Sequence, residues 1–117
     1  MSANYDTIIK QGSVWKRTFI YKNKTTGVAV DITGYTAKMQ IRPSAGSSTL
    51  IHEATSSSGI VITGTEGKLV VTIGADATDA MSFIAAEYDL EVVPPSGSDS
   101  TKKLVSGKVK LQKAVTV

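Results

Sequence analysis

The sequence predicts an all-β domain of about seven or eight short strands, packed as two antiparallel sheets, with a small barrel as the alternative and one short helical turn near residues 76–84. Three observations predict it. Apolar and polar residues alternate in short runs, the period of a half-buried strand. Turn chemistry separates those runs at close intervals. Ser, Thr and Gly are abundant, whereas long Ala/Glu/Lys/Leu stretches are missing. The 117 residues suit a single domain, 1–117, with extended ends expected at 1–6 and 113–117. Hydrophobic residues make up 41% and aromatics 6%, so the core is mainly Val, Ile, Leu and Ala.

The first strand runs from Tyr5 to Gln11 and is broken by Gly12-Ser13. In the second, Val14 to Lys22, Trp15, Arg17, Phe19 and Tyr21 share one side, and neither side is purely apolar. A turn at "NKTTG" and the crossing "VAVDITG" lead to "DITGYTAKMQIRP". There Tyr35, Ala37, Met39 and Ile41 alternate with Thr36, Lys38, Gln40 and Arg42. "PSAGSS" ends that strand, because proline cannot donate to a ladder. A short strand follows from Thr49 to Thr55. "IVITGTEGKLVVTIG" reads as a hairpin turning at Gly64 to Gly67, with Leu69, Val71 and Ile73 toward the core. "ADATDAMSFIAA" is the helix candidate, capped by Asp76 or Thr78 and packed by Met81, Phe83 and Ile84. Glu87 to Val93 and Lys103 to about Val115 supply the last two strands.

Catalytic chemistry finds little to work with. The chain has no cysteine, which excludes disulfides, thiolate nucleophiles and Cys-bound metals and favours folding inside a cell. His52 is the single histidine and reads as an edge or surface residue. Glu87, Asp89 and Glu91 share one strand face, but the converging loop ligands of a Ca²⁺ site are missing. They read as cross-strand partners of Lys38, Arg42, Lys108 or Lys110. "GTEGK" has the wrong spacing for a phosphate loop. No catalytic residue, metal or cofactor is therefore expected. Net charge is +3, and the lysines between Lys102 and Lys113 read as a solvated strand face, so nucleic acid is not an expected partner. No apolar run reaches the roughly 18 residues of a membrane span, and "MSANYDTIIKQG" lacks the core of a signal peptide. The expectation is a soluble protein made in a cytoplasm, with no membrane partner.

"ATDAMSFIAAEYDLEV" resembles the corner before a late strand of immunoglobulin-like domains. That resemblance places Asp76 in the corner turn and gives Tyr88 the tyrosine-corner role, its hydroxyl bonding backbone across the corner. Ala85-Ala86 stand where the family pattern has glycine. Taken in order, "IIKQGSVW", "DITGYTAKMQIR", "GKLVVTI", "AEYDLEV" and "LVSGKVKLQKAVT" resemble the small structural proteins of tailed bacteriophages and prophages. These include the immunoglobulin-like N-terminal domains of baseplate upper proteins.

The resemblance implies a non-catalytic virion component of tail, baseplate or head, repeated in a symmetric assembly or a homo-oligomer and bound to other virion proteins. Lys38, Gln40, Arg42, Lys108 and Lys110 are the candidate interface residues. The alternative is a carbohydrate- or receptor-binding module stacking on Trp15, Tyr21 and Tyr35. A third reading, a host-directed inhibitor, has no residue in its favour.

Overall fold

The computed structural model describes residues 3–23, 25–44, 46–95 and 101–113. Within them lie nine strands: β1 (Ala3–Asn4), β2 (Thr7–Lys10), β3 (Trp15–Ile20), β4 (Thr36–Arg42), β5 (His52–Thr55), β6 (Ile60–Thr63), β7 (Lys68–Ile73), β8 (Ala85–Val93) and β9 (Lys102–Gln112). A 3₁₀ turn, Gly64–Glu66, joins β6 to β7, and the short helix α1 (Ala75–Asp79) leads from β7 toward β8. The larger sheet has the order β1-β9-β8-β4-β5, with β2 also on β9, and the smaller sheet has the order β3-β7-β6.

Alternation decides which faces meet. Ala37, Met39 and Ile41 of β4 and Tyr88, Leu90 and Val92 of β8 turn inward. They pack against Trp15 of β3 and Leu69, Val71 and Ile73 of β7. These side chains are almost fully withdrawn from water, and burying one such aliphatic chain is worth about 1.5–3 kcal/mol. Tyr35, read as a member of the inward set, is only half-buried at the strand's entrance.

Three expectations need correction. The sandwich is not wholly antiparallel, because β1 and β2 both run parallel to β9, with Ala3 opposite Val105 and Thr7 opposite Val109. These are opposite ends of the chain. No tight hairpin joins them, so nothing imposes an antiparallel arrangement. The helix ends at Asp79 rather than near residue 84, and its N-cap is Gly74, with no side-chain cap from Asp76 or Thr78. Met81 and Phe83 stand two residues apart and both pack on the core, which an extended backbone permits and a helix face does not. Ile84, expected underneath, is 82% exposed. Strand limits also shift: the first long strand starts at Thr7, and the strand expected from Thr49 starts at His52. Val115, the expected end of the last strand, lies outside the described residues, as do 114–117 of the expected C-terminal extension. At the other end, Ala3–Asn4 pair with β9.

Two knots hold the edges. Thr78, fully buried, accepts the Gly12 N–H at 3.1 Å. Its hydroxyl has the Ser13 carbonyl at 2.8 Å and the Ala75 carbonyl at 3.0 Å as acceptors. Gln11 Nε2 donates to the Met81 carbonyl at 2.9 Å, so the turn after β2 is tied to the corner after β7. The second knot lies where β1 passes into β2. Tyr5 N–H donates to the Ser106 carbonyl and Lys108 N–H donates to Asp6 Oδ1, each at 2.9 Å. Between them the chain lies directly on Gly107: a Cβ there would stand 2.1 Å from the Tyr5 carbonyl oxygen.

Gly107→Ala is therefore expected to cost about 3 kcal/mol, the upper end of ordinary overpacking, because the clashing atoms are backbone and cannot rotate away. Urea unfolding of the variant beside the parent protein checks it. A loss under about 1 kcal/mol would show that the crossing relaxes easily.

Candidate interface face

The outward residues of β4, β8 and β9 form three parallel columns. The middle column is acidic: Glu87, Asp89 and Glu91 of β8. Lys38, Gln40 and Arg42 of β4 lie opposite Glu91, Asp89 and Glu87 in turn. On the other flank, Lys103, Ser106 and Lys108 of β9 oppose Glu91, Asp89 and Glu87. Cross-strand pairing of opposite charges, expected from the alternation, is thus the arrangement found. Lys38 Nζ lies 3.6 Å from Glu91 Oε1, and Lys103 Nζ lies 3.3 Å from Asp89 Oδ2. Both pairs are substantially exposed, and such pairs contribute about 0–1 kcal/mol each.

A hydrogen-bonded chain continues toward the sheet edge. Arg42 Nη1 donates to the Ser47 carbonyl at 3.1 Å, and Arg42 Nη2 donates to Gln40 Oε1 at 2.9 Å. Gln40 Nε2 donates to Glu53 Oε2 at 2.6 Å. The fold therefore unites Lys38, Gln40, Arg42, Lys108 and Lys110 on one face, with Lys110 one row beyond the acidic column, opposite Ala85 and Ile8 rather than a carboxylate.

Lys103 was not among the expected face residues. The register slips between Leu90 and Glu91, so that Leu104 is the extra residue of a bulge and Lys103 turns outward. The signal was present in "KKLV", where the alternation breaks, but a broken alternation does not tell which residue is extra.

Tyr88 is buried and its hydroxyl donates to backbone, as the corner resemblance implied, but at a different place. The acceptor is the Tyr5 carbonyl, at the crossing from β1 to β2. Asp76 sits exposed in the first turn of α1 and takes no part in that bond. The corner is held by Thr78 instead. Burial, followed by the nearby Tyr5 and Asp6, raises the Tyr88 hydroxyl far above the ordinary phenol range, so it stays a donor.

The aromatic readings also change. Trp15 is 3% exposed and its Nε1–H donates to buried Thr7 Oγ1 at 3.1 Å. It is a core residue bridging the two sheets, not a platform for a sugar. Tyr21 and Tyr35 are half-buried. His52 lies on edge strand β5, as expected, half-buried, and desolvation lowers its pKa despite the opposing effect of Glu53. Asp31, whose Oδ1 accepts both the N–H and the hydroxyl of Thr33, is also lowered, mainly by that hydroxyl bond. Among the described residues no three His, Asp or Glu side chains gather closely enough to hold a metal ion, and no helix is long and apolar enough to cross a membrane.

Compared with known proteins, the chain matches no protein-family model and no curated protein. Among solved structures it is similar to the extracellular domain of mouse leukocyte-associated immunoglobulin-like receptor 1, a strand-swapped dimer. Identity is 15%, the TM-score is 0.50, and the match covers 92% of this chain and 88% of that one. A likeness at that identity speaks for the fold: this chain is an immunoglobulin-like β-sandwich.

Removing the Tyr88 hydroxyl leaves the Tyr5 carbonyl without that donor. Tyr88→Phe is expected to cost about 1–3 kcal/mol with little change in structure, measurable by thermal or urea unfolding. For His52, the folded state prefers the neutral ring, so its contribution is complete above the unfolded value near 6.5 and is lost as pH falls below it. Stability of the parent protein should therefore drop as pH falls below about 6.5, and His52→Gln should flatten that drop. The Asp31 contribution fades in a separate, more acid window, as pH falls below its ordinary value of 3.8.

Proposed function

We propose that this chain is a non-catalytic structural component of a tailed-bacteriophage particle, in the tail, baseplate or head shell. It is made in the host cytoplasm, carried in the virion, and works through protein–protein interfaces as repeated copies bound to other virion proteins. One observation carries the reading. Three of the segments that resemble phage structural proteins, "DITGYTAKMQIR", "AEYDLEV" and "LVSGKVKLQKAVT", supply β4, β8 and β9, which are adjacent strands of one sheet. Their outward residues are the three charged columns described above, with Lys38, Gln40, Arg42 and Lys108 among them.

Such a face suits assembly. Its side chains are held in register by the sheet, so a neighbour meets a fixed pattern of charge. Complementary charges contribute more to orientation and to rejection of wrong partners than to raw affinity. Symmetric repetition multiplies weak contacts without requiring a large apolar patch.

Mass spectrometry of intact particles tests the proposal. The expected result is the chain present at a copy number that fits the rotational symmetry of a tail or shell. Absence from purified particles would overturn it. In particles that contain the chain, Lys38→Glu with Lys108→Glu should cut incorporation by roughly tenfold, because like charges then face the partner. The melting temperature of the isolated variant should move by only a few degrees.

A further inference from the structure

Among the described residues the smaller sheet ends at β3, which has β7 as its strand partner and an unpaired edge on the other side. Tyr21 N–H donates to the Gly67 carbonyl, in register with the pairs Ile20–Lys68 and Phe19–Leu69. Alternation along an antiparallel ladder then places Arg17 and Phe19 in the bonded phase and turns the N–H and C=O groups of Lys16, Thr18 and Ile20 to the free edge. Arg17 Nη1 covers the Lys16 carbonyl at 2.9 Å. Thr18 and Ile20 remain, each with a donor and an acceptor on that edge that find no partner among the described residues.

That edge borders a cleft of about 1330 Å³ between the C-terminal half of β3 and the N-terminal half of β9. Few drug-sized pockets exceed about 1,000 Å³, so a length of extended peptide fits it. Its floor is aromatic: Tyr5 and Phe19 meet edge to face with centroids 6.0 Å apart. Among the described residues its charges have one sign: Arg17, Lys22, Lys102 and Lys103 line it with no Asp or Glu. Lys103 is paired with Asp89, but Lys22 and Lys102 form no ion pair among the described residues.

We propose that the free edge of β3 accepts an extended acidic segment of a partner protein as an added strand. The segment's main chain pairs with Thr18 and Ile20, an alternate side chain rests on Tyr5 and Phe19, and its carboxylates meet Arg17, Lys22 and Lys102. Strand addition uses the edge for affinity and the flanking side chains for selectivity.

Charge also excludes the nearest competitor. β3, "WKRTFI", carries two cations and no anion, so two copies pairing through this edge bring like charges together. The chain's own acidic strand, β8, is already paired on both sides. Nucleic acid would satisfy the cations but offers no backbone amides to match the strand edge. The inference rests on this cleft alone, so absence of the chain from phage particles would leave it standing.

Amide hydrogen exchange on the full chain, followed by NMR, tests it. The probe is a capped Glu-Val-Glu-Val-Glu-Val peptide, with Lys-Val-Lys-Val-Lys-Val and an oligothymidylate as comparisons. The acidic peptide should slow exchange at Thr18 and Ile20, and the basic one should not. Lys22→Glu with Lys102→Glu should weaken binding by roughly tenfold or more, as should high salt. Thr18→Pro should abolish the protection at Ile20 while the core amides of β7 stay protected, because the Thr18 N–H is not part of the β3–β7 ladder. No protection at Thr18 and Ile20 with millimolar acidic peptide would overturn the proposal. So would protection by the oligonucleotide instead, or protection that grows with protein concentration without peptide, which would signal self-pairing.

Discussion

The contact on which the rest of this sandwich depends is the crossing of Tyr5–Asp6 over Gly107. At this point the backbone of the first strands touches the backbone of the last, with no side chain between them. The Tyr88 hydroxyl bonds the Tyr5 carbonyl from the core side, and Asp6 takes the Lys108 amide from the other. The crossing is thereby secured by groups from both of the long strands, β8 and β9. The parallel placement of β1 and β2 follows from it.

The same crossing shapes both candidate binding surfaces. By fixing β9 it sets the rows in which Lys103 and Lys108 flank the acidic column of β8. By fixing Tyr5 it places the ring against Phe19 and its hydroxyl 3.2 Å from Arg17 Nε, which builds the floor of the cleft. Toward β2 the sandwich edge is closed by the bond between Trp15 and Thr7. Toward β1 the pairing with β9 involves Ala3 and Asn4, and the cleft lies beside it. One end of a single edge is thus sealed while the other stays open.

The two surfaces differ in their chemistry. On the larger sheet the acids lie between cations, so the face is a balanced pattern that reads a neighbour's charges without strong net attraction. In the cleft the cations outnumber nearby carboxylates and stand beside unpaired backbone groups, a combination that draws an anionic strand. A protein with both would be able to hold two different neighbours, which is what the proposed structural role asks of it.

Much of this was legible from local pattern. A period of two assigned Met39, Ile41, Leu69, Val71, Ile73, Leu90 and Val92 to the interior and Lys38, Gln40 and Arg42 to the exterior, because side-chain direction in a strand depends only on parity. Parity also foretold that Glu87, Asp89 and Glu91 would meet cations across the strand. It failed where two solutions had equal local merit. In "VWKRTFIY" neither side was clearly apolar, and only packing against Thr7 and Ile73 made Trp15 a core residue. The same holds for Tyr88, which the pattern marked as buried without revealing that its acceptor lies 83 residues away in sequence. The amino-acid sequence by itself determined the strands, their faces and the two-sheet class, since these follow from short-range periodicity and turn chemistry. Only the tertiary structure decided the parallel first strands, the bulge at Leu104, the crossing at Gly107 and the open edge of β3. Each of those depends on which distant backbones come to lie side by side, and no local spacing in the chain records that choice.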